Sequence, residues 1–325
     1  MQAPILAHHL NTYLDYARLR VKADNPFIRE AIGLTADIDF SKDMISASLF
    51  YNVLEKIYLA LDQQISGVQV GKFLNLNALG LIYQISLQAG TLEEGIFYLR
   101  NFISNTIGII DMGIYTKNGR QYIQLVINNK EAALNQVILE TTLTIIAKEL
   151  SMMAAEDLDI RIGTPHYNDV YPSTFMYADE YVLSFIPGML KAAISSVKHY
   201  HLDYLVPQYL MMIEGLKRDQ RFTNKVKIAA LNMATPALPE LKEVADGFNM
   251  SPRTFQRTLA KEQLTFRQLT DELNKDLAMM LLRHEKYSVS DVGYLLGYAE
   301  PAAFQHSFRK WYGDTPMTIR KQLLQ

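Results

Sequence analysis

The sequence predicts an α+β domain, helices with a small mainly antiparallel sheet, followed by an all-α domain with two helix-turn-helix units. Three observations lead there. The pattern Pro-x-x-Phe-Gln occurs twice in the last third of the chain, starting at Pro252 and again at Pro301, 49 positions later. Two alternating stretches, Ile109 to Tyr115 and Gln121 to Ile127, flank Lys117-Asn118-Gly119-Arg120, and Asn-Gly is the strongest short-range hairpin signal. Charge is unevenly divided: from Arg221 onward 15 Lys/Arg stand against 11 Asp/Glu, whereas residues 1–220 hold 17 against 23. A modestly basic segment tethered to an acidic one suits a nucleic-acid module carried by a different kind of domain.

Taken in order, Pro4 to Arg20 and Met44 to Leu61 read as helices. Asn77 to Ala89 and Leu92 to Asn105 form a helical hairpin broken at Gly90. After the strand hairpin comes a long helix from Glu131 to about Ala155, then strands at Leu158 to Ile162 and Tyr181 to Phe185. Helices mixed with such a sheet define the α+β class. This first domain is expected over 1–205, with a linker helix in 206–223 carrying Leu210, Met211, Ile213 and Leu216.

The second domain is expected over 224–325. Leu238 to Ala245 is a short amphipathic helix that ends near Gly247, and Ser251 is a good N-cap for the next helix. Proline at the first helical position costs no hydrogen bond, so Pro252 and Pro301 each start a helix. At 100° per residue, Phe255 and Leu259 share one face of the first, and Phe304, Phe308 and Trp311 one face of the second. These aromatics are read as core. Thr265 to His284 is a spacer helix with Phe266, Leu269, Leu273, Leu277, Met280 and Leu281 in a stripe; its 20 residues would span ~30 Å. Major-groove faces recur every ~34 Å, so such a spacer could hold two readers in adjacent turns. Val289 to Leu296 precedes the second reader, with Gly297 closing it. The two units lie at about 238–262 and 288–312.

These residues resemble the DNA-binding domain of the AraC/XylS family of bacterial transcription regulators, from about Asn224 to Leu323. The terminal stretch Phe308-Arg309-Lys310-Trp311-Tyr312-Gly313-Asp314-Thr315-Pro316 to Arg320 carries the family's ending, with Ile319 in place of the usual aromatic. The resemblance implies a seven-helix domain that binds roughly two turns of double-stranded DNA as one polypeptide. Residues 1–205 resemble the arabinose-binding-like regulatory domain of one subgroup, through Leu79-Gly80-Leu81, Thr91-Leu92-Glu93-Glu94 and Arg161 to Tyr167 leading into the Tyr181-to-Phe185 strand. That implies a domain for effector sensing or homodimerisation, with RNA polymerase as a further partner and no particular sugar as ligand.

The DNA-contacting set expected from the faces and the resemblance is Arg253, Thr254, Gln256, Arg257, Lys261, Pro301, Ala302, Gln305, His306, Arg309 and Lys310. Arg pairs with guanine O6/N7 and Gln with adenine N6/N7, so Arg253, Gln256 and Arg257 are expected to contact bases or phosphates, and Gln305 and His306 are the expected polar readers of the second helix. Lys261, Arg309 and Lys310 are assigned to phosphates, which fix position without sequence information. Each cluster could instead be a solvated helix face.

The remaining sequence excludes more than it adds. There is no cysteine, which removes disulfides, thiol chemistry and fusion to an alkyl-transfer repair domain. No G-x-S-x-G, P-loop, G-x-G-x-x-G or H-E-x-x-H occurs, so no enzymatic activity and no cofactor are expected. His8-His9 reads as a helix-face pair and His199-Tyr200-His201 as a surface segment lacking a third ligand, so no metal is expected either. The 20-residue uncharged run Phe73 to Leu92 is too polar to span a membrane, and Met1 to Leu10 lacks the features of a signal peptide. A cytoplasmic, effector-responsive regulator, more often an activator in this family, is the resulting expectation. Two alternatives stay open: a nucleoid-type binder without strong sequence preference, and an uncharacterised enzyme domain with a DNA-binding tail.

Overall fold

The computed structural model describes residues 4–324 apart from 23, 130–131, 155, 192, 195–201 and 220. The chain divides into two compact units, the first from 1–74 and 85–195, the second from 75–84 and 196–325.

In the first unit, Ile5 and Leu6 (β1) pair antiparallel with Met44 and Ile45 (β2), so α1 begins only at Ala7 and runs to Arg20. The helix α2 (Pro26–Leu34) was not foreseen, although Asn25 caps it by accepting from Phe27 and Ile28 N–H and Pro26 opens it. It packs on α3 (Ala47–Ala60), whose N-cap is Ser46. Also unforeseen is α4 (Gly67–Phe73), short and glycine-bearing, which depends on a close approach to α7 (Ala132–Met153). A Cβ at Gly71 would lie 2.5 Å from Thr144 Cβ, and one at Gly67 would lie 2.6 Å from the Val137 carbonyl oxygen. Two glycines one turn apart thus let the two helices touch backbone to side chain.

α5 (Asn75–Ser86) falls mostly in the second unit, whereas α6 (Leu92–Thr106) belongs to the first; Thr91 caps α6 by accepting from Glu94 N–H. The expected hairpin is present as β3 (Asp111–Lys117) and β4 (Arg120–Val126), with Asn118 at φ +50° and Gly119 at φ +72°. Positive φ at both central residues gives the turn whose twist matches the strands. β4 alternates, burying Gln121, Ile123 and Leu125. The sheet order is β3-β4-β7-β5-β6, where β5 is Arg161–Thr164, β6 Phe175–Tyr177 and β7 Val182–Phe185. All pairings are antiparallel except β5 with β6, an edge strand the sequence did not signal. β5 starts later than expected because Asp159 sits at φ +45°, outside strand geometry. α7 covers the sheet, and Phe185, Leu183, Ile162, Leu143 and Ile146 lie in the core between them.

In the second unit, α8 (Leu202–Leu216) occupies most of the span expected as a linker helix over 206–223. It packs on α9 (Phe222–Asn232) and α12 (Phe266–Leu282). Its Tyr209 is fully buried and donates to the Pro236 carbonyl at 2.7 Å, and its Tyr204 donates to the Met280 carbonyl at 3.1 Å. From α9 onward the helices are α10 (Leu241–Gly247), α11 (Pro252–Ala260), α12, α13 (Val289–Leu295), α14 (Pro301–Tyr312) and α15 (Pro316–Leu323). These make the seven implied by the resemblance. Among the described residues no helix is long and apolar enough to cross a membrane.

Candidate nucleic-acid interface

The first helix-turn-helix is built by local rules. Glu240 and Glu243 form a reciprocal capping box at the start of α10. At its end Met250 N–H donates to the Ala245 carbonyl, and Asn249 takes φ +54°. This is a left-handed helix stop with Asn in the position usually held by Gly. Ser251 then accepts from Thr254 N–H at 3.2 Å, and its hydroxyl lies 3.0 Å from that of Thr254. Phe255 and Leu259 are fully buried, and the Phe255 ring packs against Phe222, Phe248 and Phe266 at 5.7–6.0 Å.

The second unit repeats the device with one change. Ser288 and Asp291 make the capping box of α13. Tyr298 N–H donates to the Gly293 carbonyl, and Gly297, at φ +84°, provides the left-handed stop. A Cβ on Gly293 would lie 3.1 Å from Phe304 Cβ, so the missing side chain lets α13 seat on α14. The matching position of the first unit is the small, buried Ala245. Four residues separate α10 from α11, whereas five separate α13 from α14, so the 49-residue repeat holds for the reader helices and not for the helices before them. Phe304 and Phe308 are fully buried, with Tyr298 and Tyr312 against them. Trp311, expected in the core, is half-buried at its rim, 6.4 Å from Phe308.

Burial of these aromatic faces turns the opposite faces outward. Arg253, Gln256, Arg257 and Lys261 are exposed on the first reader; Ala302, Gln305, His306, Arg309 and Lys310 are exposed on the second. Thr254 and Pro301 are half-buried at the helix starts, and the Thr254 hydroxyl is engaged in the cap. None of Arg253, Arg257, Lys261, Arg309 or Lys310 joins an ion pair among the described residues. These five cations, in no ion pair among the described residues, sit on the two outward faces.

The spacer α12 runs 17 residues, about 25 Å, shorter than the expected 20-residue span. Thr265 and Gln268 cap it, and its buried stripe includes Ala278 and Leu282, with Met280 half-buried. Three of its carbonyls are gripped from outside the helix: Met280 by Tyr204, Lys275 by the Tyr312 hydroxyl at 2.9 Å, and Leu282 by Arg320 Nε at 3.1 Å. The Lys275 ammonium also lies 5.0 Å from the centre of the Tyr312 ring. Sequence reasoning gave Tyr312 and Arg320 no such positioning role; only the place of Tyr312 four residues after Phe308 hinted that it faces inward.

Of the histidines, His8 is exposed while His9 is half-buried, its ring 6.1 Å from Phe102 and its Nε2 sealed without a partner, so the two do not form a surface pair. His199-Tyr200-His201 lies outside the described residues. No group of three metal-ligating side chains occurs among the described residues.

A folded pair of helix-turn-helix units with outward basic faces defines a DNA-binding transcriptional regulator. Residues 244–322 match the family model of a helix-turn-helix domain. The uncharacterized HTH-type transcriptional regulator Rv1395 of Mycobacterium tuberculosis is 25% identical over 265 residues, covering 77% of this chain and 76% of that one. VqsM, an HTH-type transcriptional regulator of Pseudomonas aeruginosa, is 38% identical over 82 residues, 25% of each chain. The HTH-type transcriptional activator CfaD of Escherichia coli is 33% identical over 134 residues, 38% of this chain and 51% of its own. Residues 244–322 are thus a helix-turn-helix domain of the AraC type, and the match supports a regulator of the AraC family.

Proposed function

We propose that the protein is a sequence-specific regulator of transcription that activates its promoters and responds to a small-molecule effector or a partner through its first unit. One observation carries the DNA-reading part: two aromatic cores of the same design each turn a short helix so that its polar face is outward and unpaired. On this reading Arg253, Gln256 and Arg257 reach base edges under α11, and Gln305 and His306 do so under α14. Lys261, Arg309 and Lys310 hold phosphates, with the ends of α11 and α14 at Thr254, Pro301 and Ala302 lying close to the duplex. Activation, with RNA polymerase as partner, is supported by the similarity to a relative named as an activator. The first unit has its own core and sheet, as an effector-sensing or dimerising domain requires, and we assign it no catalysis. A cytoplasmic location follows from this role.

The test is a salt-titrated competition between a selected site and random duplex DNA. A sequence-specific reader keeps a large affinity ratio across salt concentrations, because base contacts survive when counterion release no longer favours binding. A ratio near one would identify a nucleoid-type binder instead.

A further inference from the structure

Glu140, in the middle of α7, is only 1% exposed, but its hydrogen bonds are lopsided. The Tyr171 hydroxyl (2.8 Å), the Thr164 hydroxyl (2.9 Å) and the Gln136 amide (3.3 Å) all donate to one oxygen, Oε1. No donor among the described residues reaches Oε2. Glu149, nine residues along the same helix, makes the contrast: both its oxygens are sealed and unpartnered, whereas neither Glu140 oxygen is among the sealed, unpartnered atoms. The free oxygen of Glu140 is therefore an acceptor within reach of something small.

Its surroundings are built. Thr164 donates to Glu140 while accepting from His166 N–H at 3.3 Å, which fixes its hydroxyl. Tyr171 comes from the loop joining β5 to β6 and is wedged against Phe175, with ring centres 5.3 Å apart. Tyr181 and the His166 ring, 6.2 Å from each other, both lie within electrostatic range of the carboxylate. Val170, in the same loop, is 91% exposed, so the loop presents its far side to solvent. Arg120 and Arg161 pair with Asp159, which leaves His166 as the basic side chain acting on Glu140.

The geometry points to a binding site in the first unit for a small organic ammonium ion, its N–H groups donating to Glu140 Oε2 and its carbon body lying against Tyr171 and Tyr181. A buried carboxylate that stays ionised needs a cation to offset its desolvation, and aromatic faces favour an organic one. A metal ion is poorly served, because no cluster of three ligating side chains is present among the described residues. Burial pushes the Glu140 carboxyl up, while the Tyr171, Thr164 and Gln136 donors pull it back toward the charged form the ligand requires. This inference rests on the reading of the first unit as an effector domain and names the chemistry of its ligand.

The experiment is calorimetric titration of the full-length protein with n-butylammonium chloride and with 1,4-diaminobutane dihydrochloride at millimolar concentration. Sodium chloride at matched ionic strength, 1-butanol and sodium butyrate are the controls. The amines should bind and the controls should not. Glu140→Gln, nearly isosteric, should weaken amine binding by about tenfold or more, the scale of one charge-assisted hydrogen bond. Tyr171→Phe keeps the ring and should weaken binding less; it replaces the first variant if circular dichroism shows that Glu140→Gln is unfolded. Amine binding that neither variant changes, equal binding of 1-butanol, or no binding at all overturns the site. Repeating the titration with a selected DNA site separates the two readings. Amine bound with DNA affinity unchanged upholds the site and overturns effector control, whereas a failure to bind amine overturns the site alone.

Discussion

Arg257 stands on the face of α11 opposite Phe255 and Leu259, exposed and without an ion-pair partner among the described residues. A side chain so placed contributes nothing to the core, so Arg257→Ala should leave the melting temperature nearly unchanged. It should cost ~1–3 kcal/mol of specific binding and relax base preference at one position, read by binding to a library of mutated sites. Unchanged selectivity would mean that α11 docks through another face. Glu149 is the opposite case, a carboxyl with no work on the surface and a cost inside. Burial pushes it from 4.5 up to about 8, with both oxygens unpartnered. The folded state therefore holds a proton that the unfolded chain releases above pH 4.5, and stability falls as pH rises from there to about 8. Glu149→Gln removes that proton linkage and should stabilise the protein at pH 7 by about 3 kcal/mol, with the gain shrinking toward pH 4.5. His9, held neutral by burial with its pKa pulled down to about 3, works in the other direction and lowers stability as pH falls below 6.5. Thermal melts of wild type and Glu149→Gln across pH 4.5–8 check the sign: a constant difference would mean that Glu149 does not titrate with folding.

At the scale of elements, the two reader helices are alike inside and different outside. α11 offers Arg253, Gln256 and Arg257, while α14 offers Ala302, Gln305 and His306. Bidentate Arg contacts discriminate bases by ~1–3 kcal/mol and methyl groups by less. The half-site under α11 should therefore tolerate fewer substitutions than the half-site under α14, and equal information content in a selected site library would refute this. The turns differ as well. Gly297 sits at φ +84°, and a Cβ there would lie 3.1 Å from Ala237 Cβ. Gly297→Ala should destabilise the protein by about 1–2 kcal/mol in chemical denaturation, the cost of a left-handed residue with a side chain. Asn249, at the equivalent stop of α10, already bears that strain at φ +54°, so Asn249→Gly should shift the denaturation midpoint upward. A loss of stability in Asn249→Gly would mean that the asparagine side chain makes up for its backbone.

For the whole molecule, the question is where an independent DNA-binding piece begins. The sequence places that start at Asn224, after a linker helix. In the structure Glu262 accepts from the N–H groups of Phe222 and Thr223, at 2.8 and 2.9 Å, and so caps α9 from the far end of α11. α8 adds Tyr209, fully buried, and Tyr204 on the spacer backbone. A fragment from 224 loses both. The fragment 202–325 should melt well above 224–325, with a difference of about 3 kcal/mol or more, the usual cost of losing a large buried aromatic. Equal melting curves by circular dichroism would show that α8 is dispensable.

The sequence by itself determined the parts whose causes are local: the cap at Ser251, the Asn-Gly hairpin, and the spacing of Phe255, Leu259, Phe304 and Phe308 that sets which face of each helix is outward. Its duplicated pattern also carried the resemblance to AraC-type DNA-binding domains. Only the tertiary structure decided what depends on partners distant in the chain. α4 exists because Gly67 and Gly71 fit against α7, and β6 because β5 offers it a parallel edge. α8 joins the second unit because Pro236 and Met280 supply acceptors to its tyrosines. Glu140 is lopsided because Tyr171 and Thr164 reach one oxygen from the sheet side. A short helix, an edge strand and a buried carboxylate have no periodicity of their own, so their free energy lies in contacts that a linear pattern cannot display.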